Sequence, residues 1–392
     1  MLGAVALIML AAAISCGSAG DAESTATSEP ITAPEPANTP EAVSTPVAVT
    51  PTETVQTPLL KGLAGWTNSE PFTIAERTGQ GEVVLVDFWT YTCVNCIRTF
   101  PFLNEWHDKY ADNGLTILGV HTPEFEFERD RDGVLKALER FDLEYPIAQD
   151  NERGTWNAFE NRAWPAKYLF GVDGDLIYEH IGEGDYVDTE REIRAALTAA
   201  GHDVSAIPIG DSDGPEEDDT AYFLTEELYT GYGKVYGLGG SISIAPREYY
   251  QQPDRVFDYE DSSQFHHFGK VYLQGRWLNE KDALVHARTT VDLEDYLYAH
   301  IFARSANVVV EHRGDGPTDV YVELDGEPVP LEGAGADLEY DEDGGSYIRI
   351  DESRLYSLLQ LTAFGEHDLV VRSNSDRFAV SSFTFGNYVE GP

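Results

Sequence analysis

The sequence predicts an α/β domain followed by an all-β sandwich, and three observations carry that prediction. Val83-Val84-Leu85-Val86-Asp87-Phe88-Trp89 is an unbroken apolar, β-branched run, as a strand covered on both faces should be. An amphipathic pattern and a second apolar run follow it, which makes a strand–helix–strand unit with a right-handed crossover. Beyond residue 270, short strand-like runs alternate with turn signals. With 392 residues, two or three domains are expected, and 42% hydrophobic with 11% aromatic residues suffices for real cores. The formal charge of −43 repels nucleic acid and anionic lipid surfaces, so neither is expected as a partner. Three cysteines are too few for a disulfide scaffold.

Residues 1–16 read as an address. The apolar run 4–14 has the length of a signal-peptide core, well short of the roughly 20 residues of a spanning helix. Its end, Ala13-Ile14-Ser15-Cys16, resembles a bacterial lipobox in which Cys16 would carry lipid, with Ala13 where the consensus has Leu. An ordinary cleaved signal and an incidental hydrophobic start are the other readings. Residues 17–58 contain no aromatic residue, Lys or Arg and are rich in Pro, Thr and Ala. Such a segment cannot bury enough apolar area to offset its ordering entropy, so it reads as a disordered tether spanning on the order of 35 Å.

Residues 59–203 read as the first folded domain. After the 83–89 strand, Ile97, Phe100, Leu103, Trp106 and Tyr110 recur at three- and four-residue spacing, which predicts a helix. Residues 115–120 are the next buried strand. A helix over 126–142, a short strand over 145–148 and a helix over 151–160 follow. Residues 166–170 and 176–181 form a hairpin around Val172-Asp173-Gly174-Asp175, and a helix over 190–200 closes the domain.

The chemistry-bearing motif is Cys93-Val94-Asn95-Cys96, at the point where the strand gives way to the helix. Residues three apart on a helix have alpha carbons about 5 Å apart, inside the window that a disulfide tolerates. Unpaired amides and the positive dipole end favour a thiolate at Cys93, and Cys96 one turn later is better shielded. A Cys-x-x-Cys pair is also half a zinc site or a plain structural bridge. Zinc would need two more ligands, and the remaining cysteine is Cys16 in the signal region. Asp87 is an acid within an apolar run, so it is expected to be buried, with a raised pKa and use as a base.

Val86-Asp87-Phe88-Trp89 with Cys93-Val94-Asn95-Cys96 resembles the active-site segment of the thioredoxin superfamily. Asp87 matches that family's buried acid, Pro101 its helix proline, and Trp164-Pro165 its cis-proline loop. The central insertion is similar to the TlpA/ResA branch. Gly119-Val120-His121-Thr122-Pro123-Glu124, Asn161-Arg162-Ala163-Trp164-Pro165 and Gly182-Glu183-Gly184-Asp185-Tyr186 are similar to the extracytoplasmic part of DipZ-type proteins. The resemblance implies that Cys93 attacks, Cys96 resolves and Asp87 moves the proton, with Tyr91, Trp164 and Pro165 touching the client. It also implies no cofactor beyond the redox-active disulfide, and no metal. DipZ-type proteins carry a membrane electron-transfer domain of the CcdA type, so a reductant of this kind would draw electrons from a separate membrane donor. His121, Glu124 and Tyr186 are candidates to line the same face or to fix local hydrogen bonds.

Residues 204–220, containing Gly214-Pro215-Glu216-Glu217-Asp218-Asp219, read as an acidic linker. Within 221–392, strands are expected over 270–278, 296–303, 307–312, 319–324, 346–350, 368–372 and 379–385. Asp325-Gly326 and Gly344-Gly345 mark hairpin turns, and 354–361 alone looks helical. This spacing fits a β-sandwich of jelly-roll type. The resemblance to DipZ-type proteins implies a carbohydrate-binding-module-like domain, in which Tyr249, Tyr250 or Trp277 would stack on sugar rings or pack as core. Asp341-Glu342-Asp343-Gly344 reads as an acidic hairpin tip or a calcium loop, and His266-His267 as a metal hint without a partner.

The function expected is a membrane-tethered, extracytoplasmic thiol–disulfide oxidoreductase acting on client proteins, with a reducing direction favoured. The rival reading is a glycan- or protein-binding lipoprotein whose function lies in the β domain. A peroxidase would need a different cysteine setting.

Overall fold

The computed structural model describes residues 58–218, 223–234 and 243–389. The expected signal, Cys16 and nearly all of the tether lie outside the described residues.

The first domain contains β1 (Gly65–Thr67), α1 (Ile74–Gly79), β2 (Val83–Trp89), α2 (Val94–Tyr110), β3 (Leu115–His121), α3 (Arg131–Phe141) and β4 (Ile147–Gln149). It continues with α4 (Gly154–Ala158), β5 (Ala166–Phe170), β6 (Leu176–Ile181) and α5 (Tyr186–Ala199). The sheet order is β1-β4-β3-β2-β5-β6. The central strands β4, β3 and β2 are parallel, and β1, β5 and β6 pair antiparallel.

Every residue of β2 is buried, because helices cover both faces of the sheet. Val83, Leu85 and Trp89 join one core with Phe100 and Leu103 of α2 and Ile193 of α5. Val84, Val86 and Phe88 join the opposite core with Ile74, Trp156 and Phe159. The period of two therefore aims Asp87 at the face that α2 covers.

The helix expected over 126–142 is broken in two. A 3₁₀ turn spans Glu126–Arg129, and α3 starts only after Asp130, whose carboxylate accepts the Gly133 N–H at 3.3 Å. The expected linker folds back at its start. Arg194 donates to the carbonyls of Val204 and Ile207, each at 2.8 Å, and Val204 is buried in the α2 core.

The second domain contains β7 (Leu228–Tyr229), β8 (Val256–Tyr259), β9 (Val271–Asn279), β10 (Leu284–His286), β11 (Tyr296–His312) and β12 (Thr318–Leu324). It ends with β13 (Glu327–Pro328), β14 (Leu338–Tyr340), β15 (Ser346–Ile350), β16 (Arg354–Arg372) and β17 (Phe378–Gly386). These form an 11-stranded sheet whose described pairings are antiparallel. The strands expected over 296–303 and 307–312 are one strand, β11. It pairs with β16 throughout, while its other edge passes from β9 to β17 around Ser305, where the register shifts. Such irregularities bend a sheet, and this one closes on a single apolar core. Asp325 and Gly326 both take positive φ, 55° and 83°, as the expected hairpin turn requires.

One expectation is overturned here. Residues 354–361 are the start of strand β16 and not a helix. Tyr356 and Leu358 face the β core, whereas Leu355 packs against Val94 and Ile97 of the first domain. A strand covered on both faces loses its alternation and reads like a buried helix. Of the two readings of Tyr249 and Trp277, core packing is the one that holds, since they are 0% and 1% exposed within the β core. The Asp341 carboxylate accepts the N–H groups of Asp343 and Gly345, which makes it a turn-forming group. His266 pairs with Asp261 at 2.8 Å and packs against Tyr272 and Tyr298.

The two domains share an apolar seam of Val94, Phe125, Tyr229, Val309 and Leu355. Polar contacts flank it. Arg140 pairs with Glu352, the Tyr388 hydroxyl donates to Glu183 at 3.0 Å, and the Glu126 N–H donates to Asp282 at 3.2 Å.

Candidate active site

Cys93 is the N-cap of α2, with extended backbone, and its Sγ accepts the Cys96 N–H at 3.2 Å. The Cys96 thiol donates to the same sulfur, with Sγ to Sγ 2.6 Å, and both residues are free cysteines. Cys93 is partly exposed and Cys96 is fully buried. The preceding loop is clamped by buried Glu128. Its carboxylate accepts Thr90 Oγ1 at 2.6 Å, Thr92 Oγ1 at 2.5 Å, and the N–H groups of Glu124 and Phe125 at 2.6 and 2.9 Å. Burial still pushes the Glu128 carboxyl upward against those bonds.

Asp87 lies on the α2-facing side of β2, is 0% exposed, and among the described residues has no hydrogen-bond partner on either carboxyl oxygen. Burial pushes its pKa up to about 7, with the attraction of Lys167 opposing. Lys167 sits opposite it in the β2–β5 register, is itself fully buried, and donates to the Gly182 carbonyl at 3.3 Å. Burial pushes the lysine down, while Asp87 holds it up. The Cys96 thiol is pushed well up by burial, then by the Cys93 hydrogen bond and charge, and further by Asp87. The Tyr145 phenol is buried without a partner, and is likewise pushed up by burial and then by Asp87 and Cys96. Gly119, paired with Asp87 in register, lets neighbours approach closely, since a Cβ there would meet Ile147 Cδ1 at 2.6 Å and Trp89 Nε1 at 2.9 Å.

The Trp164–Pro165 peptide bond is cis. Trp164 is fixed by Nε1 donating to the Thr122 carbonyl at 3.1 Å and by its packing on Trp156. Cys93, Asn95 and Trp164 line one side of a cavity of about 380 Å³, and Glu226, Glu227 and Tyr229 of the β domain line the other. Glu124 is on the cavity wall too. The Tyr229 hydroxyl lies 2.8 Å from Glu124 and 2.9 Å from Glu227. One hydroxyl proton cannot serve two carboxylates at once, and burial with Glu124 nearby pushes the Glu227 carboxyl well up.

Cys93, Cys96, Asp87 and Trp164 thus gather at one α2 terminus, with Trp164 carried on the loop of the cis bond to Pro165. Tyr91 is placed apart from the Cys93 cavity, being 4% exposed and stacked on His121. His121 is buried, its Nε2 lies 3.3 Å from the Thr90 hydroxyl, and burial lowers its pKa to about 3. Tyr186 packs on Phe102, with its hydroxyl 3.0 Å from that of Thr99.

Sequence reasoning missed Lys167, Tyr145 and Glu128. For Lys167 the signal was present, since a charge inside Ala166-Lys167-Tyr168-Leu169-Phe170 is as conspicuous as Asp87 in its own run. Glu128 and Tyr145 had no such mark.

A cysteine pair at a helix N-terminus, over a buried acid and beside a loop with a cis-proline, is a thioredoxin-type arrangement suited to thiol–disulfide exchange. Comparison with known proteins agrees. A family model described as Redoxin matches residues 55–197, and one described as Thioredoxin like C-terminal domain matches residues 225–386. The chain is 31% identical to the thiol-disulfide oxidoreductase YkuV of Bacillus subtilis over 140 residues, covering 36% of this chain and 93% of that protein. It is 36% identical to Protein DipZ of Mycobacterium tuberculosis over 278 residues, which is 70% of this chain and 37% of the relative. It is 27% identical to the oxidoreductase ResA of Bacillus cereus over 104 residues, 26% of this chain and 57% of that one. The chain therefore spans little more than a third of the DipZ proteins it matches. It belongs to the thioredoxin superfamily, with a redoxin domain followed by a thioredoxin-like C-terminal domain.

Proposed function

We propose that this protein reduces disulfides in client proteins outside the cytoplasm, held at the membrane through Cys16 by the 17–58 tether. The observation that carries the redox reading is Cys93 capping α2 with its sulfur beside buried Cys96, above the unsatisfied carboxyl of Asp87. The Cys93 thiolate attacks one sulfur of the client disulfide, whose other sulfur leaves as a thiolate and takes a proton from water. Asp87 accepts the Cys96 proton. The Cys96 sulfur then bonds Cys93 and expels the second client thiolate. Two electrons have passed to the client, and the pair is left oxidised. A separate membrane donor of the CcdA type returns it to the dithiol.

The reducing direction is supported by Cys96, whose thiolate is disfavoured by burial and by Asp87. A couple whose reduced form gains no charge stabilisation gives up electrons readily, the opposite of strongly oxidising members. Support for the location comes from the apolar run 4–14, the lipobox-like Ala13-Ile14-Ser15-Cys16 and the low-complexity segment that follows. The β domain's bent strands around one core suit the jelly-roll sandwich inferred from strand spacing.

Insulin reduction by the wild type, lost in Cys93→Ser, is the expected result, and turnover surviving that substitution refutes the mechanism. A measured potential near about −270 mV supports a reductant, and one near about −120 mV overturns the direction.

A further inference from the structure

We propose that the β domain is the second wall of the active site and restricts clients to disulfides on an extended, unfolded segment of polypeptide. This rests on the oxidoreductase reading and names the substrate class of the same site. The N-terminal turn of α2, next to Cys93, is not a free docking face. Val94 is 6% exposed and packs in the seam with Tyr229, Val309 and Leu355.

The seam is secured around α2. On one side the Tyr229 hydroxyl reaches Glu124 at 2.8 Å. On another, the Arg98 guanidinium bonds Glu183 at 2.7 Å and lies 4.4 Å from the ring centroid of Tyr388, which itself donates to Glu183. On a third, Arg140 pairs with Glu352. A folded client would have to displace these contacts together to bring a surface disulfide onto Cys93.

What remains is the cavity of about 380 Å³ between Cys93 and the segment around Glu226. That lies near the lower end of small-ligand pockets, about 300–1,000 Å³, which is room for a few residues of chain and not for a folded surface. Its floor is the bend at Ala163 and Trp164 that leads into the cis-proline. Leu224 and Glu226 are exposed on the opposite wall, so changing them leaves both cores intact.

The test is single-turnover reduction by the pre-reduced full chain. Three substrates are compared: a small aromatic disulfide, a linear peptide with its cysteine in a mixed disulfide with glutathione, and a folded protein carrying the same mixed disulfide on a surface cysteine. Wild type should reduce the peptide at least about tenfold faster than the folded protein. Glu226→Trp, and independently Leu224→Trp, should lower the peptide rate about tenfold more than the small-disulfide rate. Equal rates on peptide and folded protein overturn the proposal, as does a peptide-to-small-disulfide ratio that neither tryptophan moves. Failure of the underlying reading looks different, because then no form reduces even the small disulfide in a Cys93-dependent way.

Discussion

Replacing Asp87 with Asn should stabilise the fold while crippling the enzyme. The Asp87 carboxyl is 0% exposed, has no hydrogen-bond partner, and titrates at about 7 against an ordinary 3.8. Between those two values the native state holds a proton that the unfolded chain has released, so stability falls as pH rises. At about 1.4 kcal/mol per unit over some three units, Asp87 costs about 4 kcal/mol once pH exceeds its folded pKa. Asn cannot ionise. The stability difference, Asp87→Asn minus wild type, should therefore be small at pH 3.5, climb through pH 4–7, and level off near about 4 kcal/mol at pH 8. Urea unfolding of both proteins across that range measures it. Taking the difference removes other titrations, notably that of His121, which is held neutral with a pKa near 3 and destabilises the fold as pH drops below 6.5. Reduction of the mixed disulfide by Cys96 should meanwhile slow on the order of 100-fold, the low end of general-base contributions. A difference that does not vary with pH, or a carbon-13 titration of Asp87 near pH 4, would refute the reasoning.

Three further outcomes are expected. Cys96→Ser should stall at the mixed disulfide, so that mass spectrometry of material from its native compartment finds clients bonded to Cys93, whereas the Cys93→Ser chain retains none. Lys167→Met removes the cation that holds Asp87 down, so the pH midpoint of the resolving step should move above 7, read from single-turnover rates against pH. Glu128→Ala leaves the Thr90 and Thr92 hydroxyls and the Glu124 and Phe125 N–H groups without their acceptor, and should cost about 3 kcal/mol in urea unfolding.

Much of the redox domain was legible because its signals are local. The seven-residue run of β2, the spacing of apolar residues along α2 and the hairpin of β5 and β6 each follow from short-range periodicity, and all three form where expected. Asp87 was legible for a related reason, since a charge flanked by apolar residues has no solvent-facing alternative. Residues 354–361 misled because Leu355 faces the first domain and Tyr356 the β core, so the run lost the alternation that marks a strand. Tyr249 and Trp277 stayed open between sugar stacking and core packing because composition says nothing about which side of a sheet an aromatic ring takes.

By itself, then, the order of residues determined the strand–helix unit, the placement of two sulfurs at a helix mouth and an acid beneath them. These depend on neighbours a few positions apart, where backbone geometry leaves little choice. Tertiary structure alone decided that Lys167 would face Asp87, that Glu128 would brace the loop before Cys93, and that Tyr229 would close the far side of the cavity. Those pairings join residues 36 to more than a hundred positions apart, and only sheet pairing and the packing of distant segments bring them within reach.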